Sequence, residues 1–110
     1  MFNRILSDQR ILNSHEFKDV DSIYFSIPIE EIPAKFFQAC NNLTAIHLPT
    51  TVKKISNCAF EFCKNLNTIN SLKNIQYVED EAFAHCESLK EAVFSSQLKT
   101  LGKGAFFDCQ

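Results

Sequence analysis

Residues 57–69 read NCAFEFCKNLNTI and carry the pattern that decides the fold. Two cysteines and two phenylalanines crowd together, and an apolar pair follows at Leu66 and Ile69. Taken alone, the stretch is consistent with a metal site, a disulfide knot or one unit of a larger repeat. The spacing of its residues relative to the rest of the chain distinguishes these three interpretations.

The stretch is one copy of a unit that recurs every 23 residues, since 63 − 40, 86 − 63 and 109 − 86 all equal 23. Five apolar columns share this step, which chance does not explain, and a fixed step of this length is typical of a solenoid. The columns are Cys40, Cys63, Cys86 and Cys109; Phe37, Phe60, Phe83 and Phe106; Ile32, Ile55, Val78 and Leu101; Ile29, Val52, Ile75 and Leu98; and Leu43, Leu66 and Leu89.

The step divides residues 1–110 into units of a single domain. Full repeats are predicted at 29–51, 52–74 and 75–97, and a partial repeat at 98–110. Residues 1–28 are assigned to an N-terminal cap and a divergent first repeat, with the cap at 1–19 and a strand in VDSIYF.

Each unit is predicted to contain short extended pieces and a helical turn. Ile46 and Leu48 alternate around His47, which is the period-two pattern of a strand. Ala59 and Cys63 have the spacing that places side chains on one side of a helix. One unit buries too little apolar surface to fold alone, so neighbouring coils must stack. The predicted class is therefore an α/β solenoid of short parallel strands and short helical turns.

The unit resembles the BspA-like class of leucine-rich repeats. The unit of that family runs roughly I-x-x-I-G-x-x-A-F-x-x-C-x-x-L-x-x-I-x-I-P, and LKTLGKGAFFDC at 98–109 and AFEFCKNLNTI at 59–69 match it closely. The resemblance implies a binding scaffold, often at the cell surface and associated with adhesion. The N-terminal MFNRILSDQRILNSHEF lacks the apolar core of a secretory signal, so a cytoplasmic location is expected instead if this N-terminus is native.

Three interpretations compete for the cysteine column. A column of buried thiols is favoured, because cysteine packs as a small hydrophobe. Disulfides between coils are disfavoured, because equivalent side chains point in parallel and the total of 5 is odd. Zinc bound by Cys58, Cys63, His85 and Cys86 is also disfavoured, because Cys58 and Cys63 point about 140° apart around a helical turn and His85 lies in the column of Phe62. Cys58 shares a column with Lys35, Glu81 and Gly104 and is predicted to be exposed.

A partner is predicted to bind the outward side chains of the strands, since these form columns on one surface of a solenoid. The predicted contact residues are Tyr24, His47, Asn70 and Val93, with Ala45, Thr68 and Glu91 beside them.

Composition argues against several other functions. The net charge of −2 and the lack of a basic stripe argue against nucleic-acid binding. No apolar run reaches the ~20 residues of a membrane span. The histidines fall in unrelated columns, and no phosphate-binding loop can be built, so no enzyme activity, cofactor or metal is predicted. Asn42 begins an N-x-[ST] motif that could be glycosylated only outside the cell.

Two functions remain. The first is a protein-interaction module, in adhesion or surface recognition, that uses the strand-lined face. The alternative is an architectural spacer or regulatory segment within a longer chain that continues into further repeats.

Overall fold

The computed structural model describes residues 3–6, 20–70 and 72–109, with the backbone alone for residues 3–6. Short strands follow one another along these residues. They are β1 (Asn3–Leu6), β2 (Ser22–Phe25), β3 (Glu31–Ile32), β4 (Ala45–His47), β5 (Lys54–Ile55), β6 (Thr68–Asn70), β7 (Tyr77–Val78) and β8 (Thr100–Leu101).

The strands form two parallel sheets, one ordered β1-β2-β4-β6 and the other β3-β5-β7-β8. Tyr24 pairs with His47, and His47 pairs with Asn70, so equivalent positions of successive coils lie side by side. In the second sheet Ile32 pairs with Ile55 in the same way. The parallel-strand solenoid predicted from the 23-residue step is therefore confirmed.

A third ladder of hydrogen bonds joins the coils outside the sheets, along the segments that include Phe37, Phe60 and Phe83. The amide of Phe37 donates to the carbonyl of Ala59 at 2.8 Å, and the amide of Phe60 donates to that of Ala82 at 2.7 Å. The amides of the alternate residues donate within their own coil and so close local turns. For example, the Cys40 amide donates to the Phe37 carbonyl at 3.2 Å. Backbone donors thus alternate between the next coil and their own coil.

The helical part of the predicted α/β class is not confirmed. Residues 57–62 form consecutive turns, and the only helix within the described ranges is a 3-10 turn at Leu72–Asn74. Cys58 and Phe62 have φ values of 58° and 64°, which an α-helix cannot contain. The turns nevertheless direct Ala59, Phe60 and Cys63 into the core. The three- and four-residue spacing therefore predicted the buried side chains of this segment correctly, although the segment is not a helix.

The core is a set of columns along the axis of the solenoid. The rings of Phe37 and Phe60 stack with centroids 5.2 Å apart, and Phe60–Phe83 and Phe83–Phe106 follow at 5.1 Å each. These separations suit offset aromatic stacking. Phe37, Phe60 and Phe83 are fully buried, whereas Phe106 is only partly buried. Within the described ranges, no helix has the length and hydropathy that a membrane span needs.

Candidate functional site: the strand-lined face and the thiol column

The strand-lined face, which we define as the outward residues Tyr24, His47 and Asn70, is built by β2, β4 and β6. The rings of Tyr24 and His47 stack with centroids 4.2 Å apart and planes inclined by 4°. The Nδ2 of Asn70 lies 2.7 Å from the Nδ1 of His47. An amide nitrogen can only donate, so Nδ1 accepts and the ring proton of the neutral imidazole lies on Nε2.

These contacts fix three side chains from three coils in one continuous row. Tyr24 is 40% exposed and Asn70 is exposed, while His47 is half-buried between them. The row therefore offers a π face, a hydroxyl, an imidazole N–H and an amide to solvent in set positions. Beside it, Ala45 is half-buried and Thr68 is exposed, with the Thr68 hydroxyl donating to Asn67 Oδ1 at 2.8 Å.

Two predicted members of the face lie elsewhere. Glu91 and Val93 are exposed, but residues 91–95 form no strand, so they do not extend the sheet beyond β6. The inward position between them is Ala92, only partly buried, where the two preceding coils have the larger Ile46 and Ile69. A smaller inward side chain gives the segment less to pack against the core.

β1 lies within residues 1–19, which the sequence pattern assigns to a cap and not to a strand. It pairs in parallel with β2, with Asn3 opposite Ser22, and so adds a strand to the same sheet. The offset is 22 − 3 = 19 residues instead of 23, which is why a search at the repeat step did not find it.

The cysteine column is a column of hydrogen-bonded thiols. Cys40, Cys63 and Cys86 are fully buried, Cys109 is half-buried, and all five cysteines are free. Cys63 Sγ donates to the carbonyl of Phe37 at 3.0 Å, and Cys86 Sγ to that of Phe60 at 3.0 Å. Cys63, Cys86 and Cys109 each donate to a carbonyl of the preceding coil, a polar role that a small hydrophobe does not have.

Burial changes the acidity of these thiols. It raises the pKa of the Cys86 thiol to about 12, with a smaller contribution from Cys109. Burial also raises the pKa of Cys109, and the nearby Asp108 adds to this rise. Both groups therefore hold their protons at neutral pH, as a thiol that donates a hydrogen bond must.

Cys58 lies outside this column and is half-buried, although its column was predicted to be exposed. Burial raises its pKa, and the charge of Glu61 raises it further. Among the described residues, the one group with potential metal-ligand atoms within 4.8 Å of one another is Cys58, Glu61 and Glu81. It shares only Cys58 with the zinc set considered from sequence. It contains one thiol held in its protonated form and no histidine.

The architecture, with its parallel strands, short coils and inward apolar columns, is that of a leucine-rich repeat solenoid. The family model for the BspA type leucine rich repeat region matches residues 10–110 with six copies. The chain therefore belongs to the BspA-type leucine-rich repeat family, and the resemblance drawn from sequence is confirmed. Searches of curated proteins and of solved structures returned no match. Membership of this family indicates a protein-interaction module in general, in a family that is generally non-catalytic.

Proposed function

We propose that the chain is a non-catalytic module for adhesion or surface recognition that binds a protein through the strand-lined face. The observation that carries this proposal is the fixed row of Tyr24, His47 and Asn70, joined by a ring stack and a 2.7 Å hydrogen bond. Side chains that are already ordered lose little rotamer entropy when a partner docks.

The chemistry of the row suits a protein partner. Tyrosine is enriched among the residues that dominate binding energy, because it combines a large apolar ring with a polar tip. Tyr24 and the amide of Asn70 are exposed enough to be contacted directly. The row itself carries no formal charge with His47 neutral, so shape and hydrogen bonding would dominate recognition.

The test compares two triple variants in affinity capture from extracellular-matrix protein and, separately, from a cell lysate. The first carries His47→Lys, Thr68→Lys and Asn70→Glu. The control carries Asn41→Lys, Lys64→Glu and Glu87→Lys, in an exposed column of the turn segments. Both sets change the net charge by +1, counting histidine as neutral.

We expect the face variant to lose the captured partner by about 10-fold or more, because central contacts of an interface dominate its affinity. The control should bind as the parent does. The proposal fails if the folded face variant captures the same partner as strongly as the control does.

A second candidate, the architectural segment of a longer solenoid, is favoured by the apolar side chains that the last coil presents. Leu101 is 56% exposed, and β8 has a neighbouring strand on one side only among the described residues. Appending one further 23-residue unit after residue 110 should raise the urea midpoint and leave partner binding unchanged. An unchanged midpoint would contradict the spacer interpretation.

A further inference from the structure

A second exposed surface lies on the turn segments, away from the strands. We define the aromatic ridge as Phe62, His85 and Phe107. The rings of Phe62 and His85 stack with centroids 4.4 Å apart, and Phe107 meets His85 edge-on at 5.4 Å. Phe62 is 39% and Phe107 63% exposed. His85 also lies 3.1 Å from an Asp108 carboxylate oxygen.

The ridge is not required for the coils to stack. The column that contains Phe62 and His85 also contains Ala39 and Asp108, all four with positive φ between 59° and 64°. The coils that carry alanine or aspartate at this position therefore adopt the same backbone conformation although no aromatic ring is present. Phe62 and His85 are held outward in a conformation that disfavours bulky residues, which calls for an explanation other than coil packing, whereas Phe107 has no positive φ.

Next to the ridge is a cavity of about 300 Å³, lined by Asp80, Glu81, Lys103, Gly104 and Phe107. This volume lies at the lower end of the range for ligand pockets. A Cβ at Gly104 would lie within ordinary contact distance of the cavity wall, 3.5 Å from Glu81 Cγ and 3.8 Å from Phe107 Cβ. The side chains of Glu81 and Phe107 therefore both begin close to Gly104.

The charges of the cavity favour a cation. Two carboxylates, Asp80 and Glu81, face one ammonium, Lys103. Asp80 Oδ1 already accepts the backbone amide of Lys103 at 2.8 Å. No ion pair between Lys103 and Glu81 occurs in the part of the chain that the structure describes. The Glu81 carboxylate is therefore not paired with Lys103, and the Glu61 carboxylate within 4.8 Å of it adds negative charge beside the cavity.

We propose that this cavity binds an arginine side chain presented by a protein partner. The guanidinium stacks on the ring of Phe107, where the ring quadrupole attracts a cation, and donates to the carboxylate of Glu81. Arginine fits better than lysine, because its planar head stacks on a ring and pairs with a carboxylate at the same time. Phosphate-bearing partners are disfavoured by the two carboxylates.

This site shares no residue with the strand-lined face, so either proposal can fail alone. The test uses NMR of the ¹⁵N-labelled full chain titrated with acetyl-Gly-Arg-Gly-amide. A second titration uses the citrulline analogue, which keeps the shape of arginine and lacks its charge. We expect saturable shifts at Gly104, Phe107 and His85 with the arginine peptide. The citrulline peptide should bind about 5-fold more weakly, which is the loss in affinity expected when one exposed cation–π contact is removed.

Two variants locate the site. Phe107→Leu keeps an apolar side chain and removes the ring, and Glu81→Gln removes the charge while keeping the shape. Each should weaken arginine binding by about 2- to 5-fold. The matched controls are Tyr77→Leu, an aromatic that is 37% exposed on β7, and Glu87→Gln, an exposed carboxylate. Both should bind as the parent does.

Several outcomes would overturn the proposal. Equal binding of the citrulline peptide would show that charge plays no part. Equal losses in the control variants would show nonspecific attraction to an acidic protein. Shifts confined to Tyr24 and His47, or no saturable shift at millimolar peptide, would remove the site. If Phe107→Leu disturbs the spectrum of the core, Glu81→Gln decides the question alone.

Discussion

The coil that contains Phe60 and the coil that contains Phe106 carry the same columns but differ in what surrounds them. Phe60 is stacked between two rings and fully buried, whereas Phe106 has one stacked neighbour, at 5.1 Å, and is partly buried. Ile55 is fully buried, but Leu101 in the same column is 56% exposed. The repeat sets where a side chain points, and the next coil decides whether that side chain is protected from water.

The first prediction has the largest expected effect and tests this difference in burial directly. Phe60→Ala should lower the free energy of unfolding by about 3–5 kcal/mol, because a cavity opens in the middle of the ring stack. Phe106→Ala should cost about 1–2 kcal/mol, because its ring is only partly removed from water. Urea denaturation followed by circular dichroism measures both. Equal losses would mean that both coils are equally well packed.

The second prediction concerns where the last coil is held against its neighbour. A Cβ at Gly102 would lie 2.4 Å from the carbonyl carbon of Glu79. Gly102→Ala should therefore cost about 1–3 kcal/mol, in the range of overpacked sites. Gly104→Ala should cost about 1 kcal/mol, for its positive φ alone. A thermal melt in which Gly102→Ala matches the parent would contradict the close approach.

A third prediction uses pH to measure how much the buried Cys86 thiol contributes to stability. The folded state raises the pKa of Cys86 from 9.0 to about 12, so folding favours the protonated thiol. This contribution is fully present below pH 9 and is lost as the pH rises toward 12, at up to about 1.4 kcal/mol per pH unit. Urea midpoints measured from pH 8 to 11 should fall less steeply in Cys86→Ala than in the parent. Parallel slopes would rule out this contribution.

The smallest expected effect is stabilising and concerns the turn segments. Lys35 is exposed and has a φ of 61°. Lys35→Gly should raise the free energy of unfolding by up to about 1 kcal/mol, because relief of the left-handed conformation exceeds the entropy that glycine loses. Lys99→Gly, at an exposed site without a positive φ, should lower it. Destabilisation by Lys35→Gly in a thermal melt would contradict the prediction.

The sequence predicted the columns and the strand register because a fixed step brings equivalent residues side by side, as in Ile32 and Ile55. It did not distinguish a helix from a run of alternating turns, because both place residues three and four apart on one side. The left-handed positions would have revealed the turns, but of these only Gly104 is a glycine. Lysine, cysteine and glutamate occupy the same column in the other coils.

The candidate face was predicted in part. Tyr24, His47 and Asn70 come together as their spacing requires, but spacing alone does not show the ring stack or the hydrogen bond between them. Val93 has the correct spacing and still lies outside the sheet, since strand formation depends on packing as well as position. Binding by any of these residues stays a prediction.

The bonds from Cys63 and Cys86 to phenylalanine carbonyls join successive coils through free thiols. No oxidation is needed to join the coils, because each buried sulfur already contributes to stacking with its proton in place. Oxidants attack the deprotonated sulfur, and the interior withholds that form. We therefore expect the same packed columns to form in reducing and in oxidising media.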